Sequence, residues 1–137
     1  MCSIIGYSGN EIAAPIIVKG LKRMEYRGYD SVGVATESQN QIELKKGTGK
    51  VTEVNSKFQL DTLPGKIGIG HTRWATHGKV TDLNAHPHPS NSGKIAIVHN
   101  GIIENFEELK KQLEDDGYSF KSETDSEIIA NLLQKNY

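Results

Sequence analysis

The order of apolar and polar residues along the chain predicts a domain that mixes strands with helices. Short apolar or alternating runs of the strand type lie at residues 2–7, 31–37, 41–46, 66–72 and 94–99. The second and third runs are separated by only a few polar residues and therefore predict a hairpin. Because the predicted strands mostly follow one another in hairpin order, we expect an α+β fold with a largely antiparallel sheet.

Three segments have apolar residues at helical spacing, over residues 11–25, 50–58 and 102–116. In the first segment, Pro15 is compatible with a helix only in the first turn, where the backbone amides have no helical partner. After the third segment, Gly117 occupies the position of a glycine that ends a helix. The predicted apolar face of the third helix consists of Ile102, Ile103, Phe106, Leu109 and Leu113.

The stretch from residue 118 to residue 134 is predicted to form a short strand, a polar turn and a further helix. Ser122 and Thr124 are the candidate caps of that helix. Glu127 follows Thr124 by three residues, which is the spacing of a capping box. Asp125 would then lie in the first helical turn, where a carboxylate also complements the helix dipole.

Residues 72–93 form a long stretch without a regular pattern between the two clearest strands. This stretch contains the only tryptophan, Trp74, together with three of the five histidines. Loops of this length inside a compact domain are usually functional or disordered. The unusual composition favours a functional loop.

Length and composition fit one globular domain and exclude several functional classes. The chain has 137 residues, 36% of them hydrophobic, and the 14 glycines bring the apolar share to about 46%. The formal net charge is −1 and there is no basic stripe, so we expect no nucleic-acid partner. No apolar run approaches the length of a bilayer span and no signal peptide is recognisable, so we expect no membrane partner. One cysteine cannot form an internal disulfide, which favours a reducing, cytoplasmic location.

The single cysteine is residue 2, and this position gives it a possible chemical role. Removal of Met1 would leave Cys2 with a free α-amine, whose pKa near 8 makes it a competent base beside its own thiol. Asn100 and Gly101 follow a predicted strand and could supply a side-chain amide and a backbone N–H to an oxyanion. The alternative is that Cys2 is a small buried hydrophobic residue at the start of a strand.

The two candidate nucleotide-binding motifs in the sequence are incomplete. The sequence GTGKVT at 47–52 resembles a phosphate loop, but Leu44 occupies the position of the first glycine and Val51 that of the Ser or Thr. The sequence GIGHTR at 68–73 lacks the third glycine of a dinucleotide fingerprint. We therefore expect no organic cofactor.

A metal site is the second alternative that the sequence raises. An H-x-H pair on an extended segment points its side chains to opposite faces, and the chain has neither a second cysteine nor an H-E-x-x-H helix. We therefore expect no metal. The candidate ligands would be His71, His77, His86, His88 and His99, with Asp82 or Asp125 as the carboxylate.

Six sequence blocks carry a resemblance to a known family. MCSIIGY, EYRGYDS, HTRWATHG, NAHPHP, HNGIIEN and SETDSE occur in this order over residues 1–127. Together they resemble the glutaminase domain, a class II glutamine amidotransferase domain, of the isomerizing glutamine–fructose-6-phosphate aminotransferases, or glucosamine-6-phosphate synthases. The resemblance implies an N-terminal-nucleophile hydrolase fold, with antiparallel sheets sandwiched between helix layers (αββα). It also implies that residues 2–137 are the N-terminal portion of that domain, with its C-terminal elements and the sugar-phosphate isomerase half absent.

The resemblance implies a role for each matched residue. Cys2 would attack the side-chain amide of L-glutamine, giving a glutamyl thioester and ammonia, and Asn100 and Gly101 would form the oxyanion hole. Arg73 would bind the substrate α-carboxylate and Asp125 the α-ammonium group, as an amino-acid ligand requires.

Four further residues receive supporting roles from the same resemblance. Thr76 and His77 would assist Arg73 in the same loop. Trp74 would belong to a mobile loop that closes over glutamine and helps to gate ammonia, and Arg27 would lie close to the nucleophile. Ser3 departs from the glycine usual in the family, and we expect it to leave activity intact.

The sequence thus predicts a glutamine-hydrolysing enzyme domain without metal or cofactor. In the full-length enzyme the ammonia would pass to the sugar-phosphate isomerase domain, where fructose 6-phosphate accepts it and glucosamine 6-phosphate forms. The resemblance also implies a homo-oligomer for the full-length enzyme. The alternatives are a glutaminase domain that serves another acceptor, a His-rich metal-binding module, and a catalytically silent interaction module.

Overall fold

The computed structural model describes residues 2–75 and 79–137 and contains a mixture of strands and helices. The first half holds β1 (Ser3–Ser8), α1 (Ala13–Met24), β2 (Ser31–Ser38), β3 (Gln41–Thr48), α2 (Val51–Phe58) and β4 (Ile67–Arg73). The second half holds β5 (His88–Pro89), β6 (Ala96–Ile97), α3 (Phe106–Asp115) and α4 (Glu127–Asn136). Short 3-10 helices lie at Glu25–Arg27 and Leu60–Thr62. None of the helices in these described ranges has the length and apolar character needed to cross a membrane.

The larger sheet has four antiparallel strands in the order β1-β4-β2-β3. The predicted hairpin is present, because β2 pairs with β3 throughout. Gln39 and Asn40 connect the two strands with positive φ angles of 54° and 63°, the conformation that two-residue hairpin turns need. The predicted antiparallel sheet and α+β class are therefore confirmed.

Helix α1 covers one face of this sheet and forms the main hydrophobic core. Pro15 lies in the first turn of α1, as its missing amide requires. Strand β2 presents Val32 and Val34 to the helix side, because alternate residues of a strand point to the same face. The buried core residues are Ala13, Ala14, Ile17, Val18, Leu21, Val32, Val34, Val51, Val54, Leu60 and Leu63.

Two glycines of β4 allow α1 to lie close to the sheet. A Cβ atom added to Gly68 would lie 2.7 Å from Cδ1 of Ile17. A Cβ atom added to Gly70 would collide with Cγ2 of Ile17 and lie 3.0 Å from Cδ1 of Leu21. Because Ile17 and Leu21 are completely buried, neither side chain has space into which it could move.

The opposite face of the sheet packs against the segment that carries β5 and β6. These two strands form a small antiparallel sheet of their own, on which α4 packs. Gly33 makes room for this layer, because a side chain there would collide with the carbonyl of His86. Lys46 holds the same segment: its Nζ donates to the carbonyl oxygens of Leu83, Ala85 and Pro87 at 3.2, 2.6 and 3.1 Å. The layers therefore follow one another as helix, sheet, sheet and helix, as the αββα expectation requires.

Two predicted elements are shorter in the structure than expected. The strand expected over residues 94–99 is only Ala96–Ile97, because its partner β5 is equally short and includes Pro89. The helix expected over 102–116 begins only at Phe106. Ile102 is 75% exposed, so it does not belong to the buried face, on which Leu113 is the fully buried residue. Gly117 does follow the helix end, with a φ of 95°.

The expected strand and capping box between α3 and α4 are also wrong. Residues 118–121 form an irregular segment, in which Ser119 is held by the side chain of Asn91. A capping box would join the carboxylate of Glu127 to the backbone N–H of Thr124. Instead, this carboxylate accepts hydrogen bonds from the backbone N–H groups of Lys121 and Ser122, both at 2.9 Å. Glu127 is 3% exposed, so these bonds are its compensation for burial.

Three histidines form a buried row between the sheet and the β5 segment. The rings of His71 and His86 are stacked with centroids 4.2 Å apart, and the His86 and His88 centroids are 4.5 Å apart. Burial lowers the pKa of His71 to about 4 and that of His88 to about 2, and it also lowers the pKa of His86. All three rings are therefore neutral at neutral pH. Nearby Lys46 and Arg73 act in the same direction, because they disfavour a further positive charge.

The substitution Gly70→Ala is expected to destabilise the fold by about 1–3 kcal/mol, because the added methyl group overpacks the completely buried contact with Ile17. Gly6→Ala is the matched control in the neighbouring strand, where the nearest atom to an added Cβ lies 3.8 Å away. Urea denaturation of both variants measures the difference. Equal free energies of unfolding for the two variants would contradict the close approach of α1 to β4.

The buried histidines predict that the free energy of unfolding falls as the pH falls. Their folded-state pKa values lie below the unfolded value near 6.5, so the unfolded chain binds up to three more protons below that pH. Between pH 7.5 and pH 5.5 this amounts to a loss of about 4 kcal/mol. Denaturation curves across this range measure it. His88→Gln should remove about one third of the loss, and an unchanged slope would contradict the buried, neutral state of His88.

Candidate active site

A small cleft opens where the start of β1, the end of β4 and two turns of the second layer meet. The first turn follows β6 at residues 99–101, and the second precedes α4 at residues 124–126. The described residues that line the cleft are Cys2, Arg73, Trp74, His86, His99, Asn100, Gly101, Thr124, Asp125 and Ser126. The cleft thus brings together six of the residues for which the family resemblance implies a role in the site, although they lie up to 123 positions apart.

The Cys2 thiol lies beside the backbone of Trp74 at the mouth of the cleft. The pairing of Ser3 with Thr72 places Cys2 next to the residues that leave β4. The backbone N–H of Trp74 donates to Cys2 Sγ at 3.2 Å, and the thiol lies 3.4 Å from the Trp74 carbonyl oxygen. The sulfur is therefore fixed by strand pairing and by local main-chain contacts, and it is partly exposed, as a reacting group must be.

Asn100 places a side-chain amide next to the cysteine. Its Nδ2 donates to the backbone carbonyl of Cys2 at 3.2 Å, while its Oδ1 accepts a hydrogen bond of 2.7 Å from Nε2 of His71. The following residue is Gly101, and a Cβ there would lie only 2.9 Å from Nε2 of His99. A side chain at position 101 would therefore have to displace the His99 ring.

Arg73 and Asp125 supply a buried cation and a buried anion to the same cleft. Both side chains are 4% exposed. Burial lowers the pKa of the Arg73 guanidinium, while the nearby Cys2 and Asp30 raise it, and a guanidinium stays charged at neutral pH. Arg73 Nη1 donates to the Lys79 carbonyl at 2.9 Å, and Asp125 Oδ2 accepts the backbone N–H of Ile103 at 2.7 Å. These bonds hold in place a cation and an anion that both line the cleft.

Further polar contacts that were not predicted hold the turns in place. Nδ1 of His99 lies 3.0 Å from Oγ of Ser126, and Nε2 of His88 lies 2.8 Å from Oγ1 of Thr124. These bonds tie the turn that carries Asp125 to the layer that carries Asn100. Asp30 accepts the backbone N–H of Ala75 at 2.8 Å and so fixes the chain just after Trp74. The only sequence signal for these residues is that each lies within a block of the family resemblance or next to a matched residue.

Trp74 lies at the edge of the cleft, and Arg27 lies outside its described lining. The Trp74 side chain is 45% exposed and packs edge-on against Tyr29, with ring centroids 5.8 Å apart. Arg27 is exposed in the short helix Glu25–Arg27 and does not line the described part of the cleft. Thr76 and His77 lie outside the described residues. Their predicted roles stay predictions.

Ser3 is buried immediately beside Cys2 in the sequence. Its side chain is 3% exposed, and its hydroxyl has no hydrogen-bond partner among the described residues. Strand β1 keeps regular pairing with β4 at this position, so the sheet accommodates a serine where the family usually has glycine.

No group of three or more His, Cys, Asp and Glu side chains within residues 2–75 and 79–137 is arranged to hold a metal ion. The buried histidines instead contact one another through ring stacking and bond to Thr124 and Asn100. The metal-binding alternative therefore has no support in the described part of the chain.

Sequence comparison finds relatives along the whole chain. An isomerizing glutamine–fructose-6-phosphate aminotransferase of Pyrococcus horikoshii is 58% identical over 136 residues, which are 99% of this chain and 23% of the relative. The enzyme of the same name from Methanococcus maripaludis is 58% identical over 98% of this chain and 22% of its own length. That from Aquifex aeolicus is 53% identical over 100% of this chain and 23% of its own length. The chain thus spans less than a quarter of the length of these curated relatives.

Structure comparison finds the same fold in two solved structures. The glutamine phosphoribosylpyrophosphate amidotransferase of B. subtilis, complexed with ADP and GMP, is 33% identical. It superimposes with a TM-score of 0.82 over 98% of this chain and 29% of its own. A structure described as the allosteric regulatory enzyme of purine biosynthesis gives a TM-score of 0.84 at 33% identity, over 98% of this chain and 30% of that one. The expected N-terminal-nucleophile hydrolase fold is confirmed by these neighbours.

The family model described as the glutamine amidotransferase domain matches residues 58–136. This range includes Arg73, Asn100, Gly101 and Asp125, and Cys2 completes the cleft from the paired strand β1. The match covers more than half of the chain, and the chain therefore belongs to the glutamine amidotransferase domain family.

Proposed function

We propose that this chain hydrolyses the side-chain amide of L-glutamine to glutamate and ammonia, with Cys2 as the nucleophile. The observation that carries the proposal is one cleft that combines a thiol, an oxyanion donor and a buried pair of opposite charges. The thiol and the donor suit acyl transfer, and the charge pair suits a free amino acid. The family membership and the names of the relatives support the same reaction.

The first half of the reaction forms a thioester. After removal of Met1, the α-amine of Cys2 takes the thiol proton, and the sulfur attacks the carboxamide carbon of glutamine. The carbonyl electrons move onto oxygen, which the amide of Asn100 and the backbone N–H of Gly101 stabilise. Collapse of this intermediate breaks the C–N bond, and the leaving nitrogen takes the proton from the α-ammonium group and departs as ammonia.

The second half releases glutamate and restores the enzyme. A water molecule loses a proton to the α-amine and attacks the thioester carbon, and the same donors stabilise the second oxyanion. The C–S bond then breaks and the thiolate of Cys2 recovers its proton from the α-ammonium group. One water is consumed and no oxidant, metal or cofactor enters the balance.

Arg73 and Asp125 are proposed to bind the two charged groups of the amino acid. The guanidinium of Arg73 would pair with the α-carboxylate through two parallel hydrogen bonds, and the carboxylate of Asp125 would accept from the α-ammonium group. Because both side chains are buried, the ligand would meet them with little competition from water. Thr76 and His77 are proposed to assist in the same loop, and Trp74 is proposed to cover the mouth. Arg27 is proposed to support this end of the site.

The ammonia is proposed to serve the amination of fructose 6-phosphate to glucosamine 6-phosphate by a sugar-phosphate isomerase domain, in a homo-oligomeric full-length enzyme of the cytoplasm. Relatives named for that reaction are 50–58% identical to this chain. The purine-pathway neighbours share 33% identity, so a phosphoribosyl acceptor is less favoured. The absence of a suitable ligand group within the described residues counts against the metal-binding alternative.

Cys2→Ala is expected to lower ammonia release from glutamine by at least about 1,000-fold, because no other cysteine exists to replace the nucleophile. The measurement is glutamine-dependent ammonia release by wild type and variant. A diazoketone analogue of glutamine should label wild type once, at Cys2. Mass spectrometry first establishes that Met1 has been removed, since the mechanism requires the free α-amine.

Retention of wild-type activity by Cys2→Ala would exclude the proposed nucleophile. Labelling at another residue of a correctly processed chain would exclude it as well. Denaturation curves of the two proteins serve as the control for folding, because Cys2 makes contacts only at the cleft mouth among the described residues.

Asp125→Asn is expected to raise the KM for glutamine by about 10- to 100-fold, because a buried charged hydrogen bond to the α-ammonium group is lost. The fold should persist, since an asparagine oxygen still accepts the Ile103 N–H. Asp116→Asn is the matched control: Asp116 is 45% exposed and pairs with Lys135 away from the cleft.

A substrate that lacks the α-amine distinguishes the loss of ammonium binding from a general loss of activity in the Asp125→Asn variant. Wild type should prefer glutamine to 4-carbamoylbutanoate, its deamino analogue, and Asp125→Asn should lose most of that preference. An equal preference in both proteins would contradict the assignment of Asp125 to the ammonium group, whatever the change in overall rate.

A further inference from the structure

His71 lies behind the cleft and contacts the group that faces Cys2. It is 1% exposed and sits on β4, two residues before Arg73. Its Nε2 lies 2.7 Å from Oδ1 of Asn100, and the Nδ2 of the same amide lies 3.2 Å from the Cys2 carbonyl oxygen. The Asn100 amide is therefore held between a histidine on one side and the nucleophilic residue on the other.

The chemistry of these partners fixes which way the amide points. The Cys2 carbonyl oxygen only accepts hydrogen bonds, so Asn100 must turn its NH₂ group toward it. The amide oxygen then faces His71 and needs a donor, which means that the proton of the neutral ring is on Nε2. If the proton were on Nδ1 instead, Nε2 would be an acceptor and would favour the reversed amide.

The surroundings of the ring favour the Nε2–H form. The ring of His86 stacks on it, with centroids 4.2 Å apart and an interplanar angle of 21°. Nδ1 of His71 is buried and has no hydrogen-bond partner among the described residues. A proton placed there would be an unsatisfied buried donor, which is the more costly arrangement. The other charged or titratable groups near the ring are Arg73, His88 and His99, and Nδ1 makes no hydrogen bond to any of them.

We propose that His71 is a positioning residue that holds the amide of Asn100 with its NH₂ group toward the developing oxyanion. The inference rests on the proposed glutaminase reaction, in which one hydrogen of this NH₂ group binds the Cys2 carbonyl and the other is available to the substrate oxygen. A reversed amide would present a carbonyl oxygen to a forming negative charge. His71 thus acts through Asn100 and does not touch the substrate.

His71→Met keeps the approximate volume and removes the donor, whereas His71→Gln keeps an N–H group at the same distance along the side chain. We expect His71→Met to lower kcat by about 10- to 100-fold with the KM for glutamine within threefold of wild type, because the oxyanion forms only after binding. His71→Gln should restore kcat to within about fivefold of wild type. Equal losses of kcat in the two variants would overturn the inference.

A double-mutant cycle tests whether His71 acts through Asn100. Asn100→Ala removes the amide, so adding His71→Met to it should change kcat by less than about twofold. Multiplication of the two single effects would overturn the inference. Alkylation of Cys2 by iodoacetamide forms no oxyanion, so its rate should be the same in His71→Met and wild type. A changed rate would mean that the thiol itself had been disturbed.

Nitrogen NMR of the unmodified chain provides a test that needs no variant. The Nε2 of His71 should carry a proton and its Nδ1 should be bare from pH 7 down to about 5. A protonated Nδ1 with a bare Nε2 would overturn the inference even if every variant failed to fold. Loss of the proposed function is distinguishable, because in that case the wild-type chain itself would release no ammonia from glutamine.

Discussion

The site depends on the antiparallel register between β1 and β4. This register pairs Ser3 with Thr72 and so places the sulfur of Cys2 against the backbone of Trp74. A slip by one residue would turn every side chain of β1 to the opposite face, and Cys2 would leave the cleft. The register is fixed in turn by the burial of alternate residues under α1, for which Gly68 and Gly70 leave the space. The position of the Cys2 thiol is thus specified by hydrophobic packing along the sheet.

The fold buries charged side chains that come from both of its layers. Arg73, Asp125 and Glu127 are each less than 5% exposed, and buried charges are tolerated only with partners. Backbone N–H groups and carbonyls supply most of these partners, as at Ile103 for Asp125. Burying these charges lowers the stability of the fold. It favours binding, because charged groups that are already held by hydrogen bonds need little reorganisation when a ligand arrives.

The main elements and the residues of the cleft could both be predicted from the sequence, but for different reasons. The hairpin of β2 and β3 and the position of Pro15 follow from local rules that need only a few residues. The convergence of Cys2, Asn100 and Asp125 was expected only from the family resemblance, since nothing local relates residues so far apart.

The expectations that were wrong fell in the second layer. There, Pro89 shortens the strand pairing, and Glu127 bonds to the backbone of residues 121–122 instead of completing a capping box. The contacts of His71 could not be predicted either, because an amide orientation depends on atoms brought together only by tertiary packing.

The hydrogen bonds of the Lys46 side chain replace those that a neighbouring strand would make to the backbone. The segment from Leu83 to Pro87 does not pair with a sheet. Instead, the ammonium group of Lys46 donates hydrogen bonds to three of its carbonyl oxygens. Because the contact is made to the main chain, it does not depend on which side chains the segment carries. Sequence drift should therefore be freer at Leu83 than at Lys46. The position of this irregular segment depends on a residue of β3 and not on its own side chains.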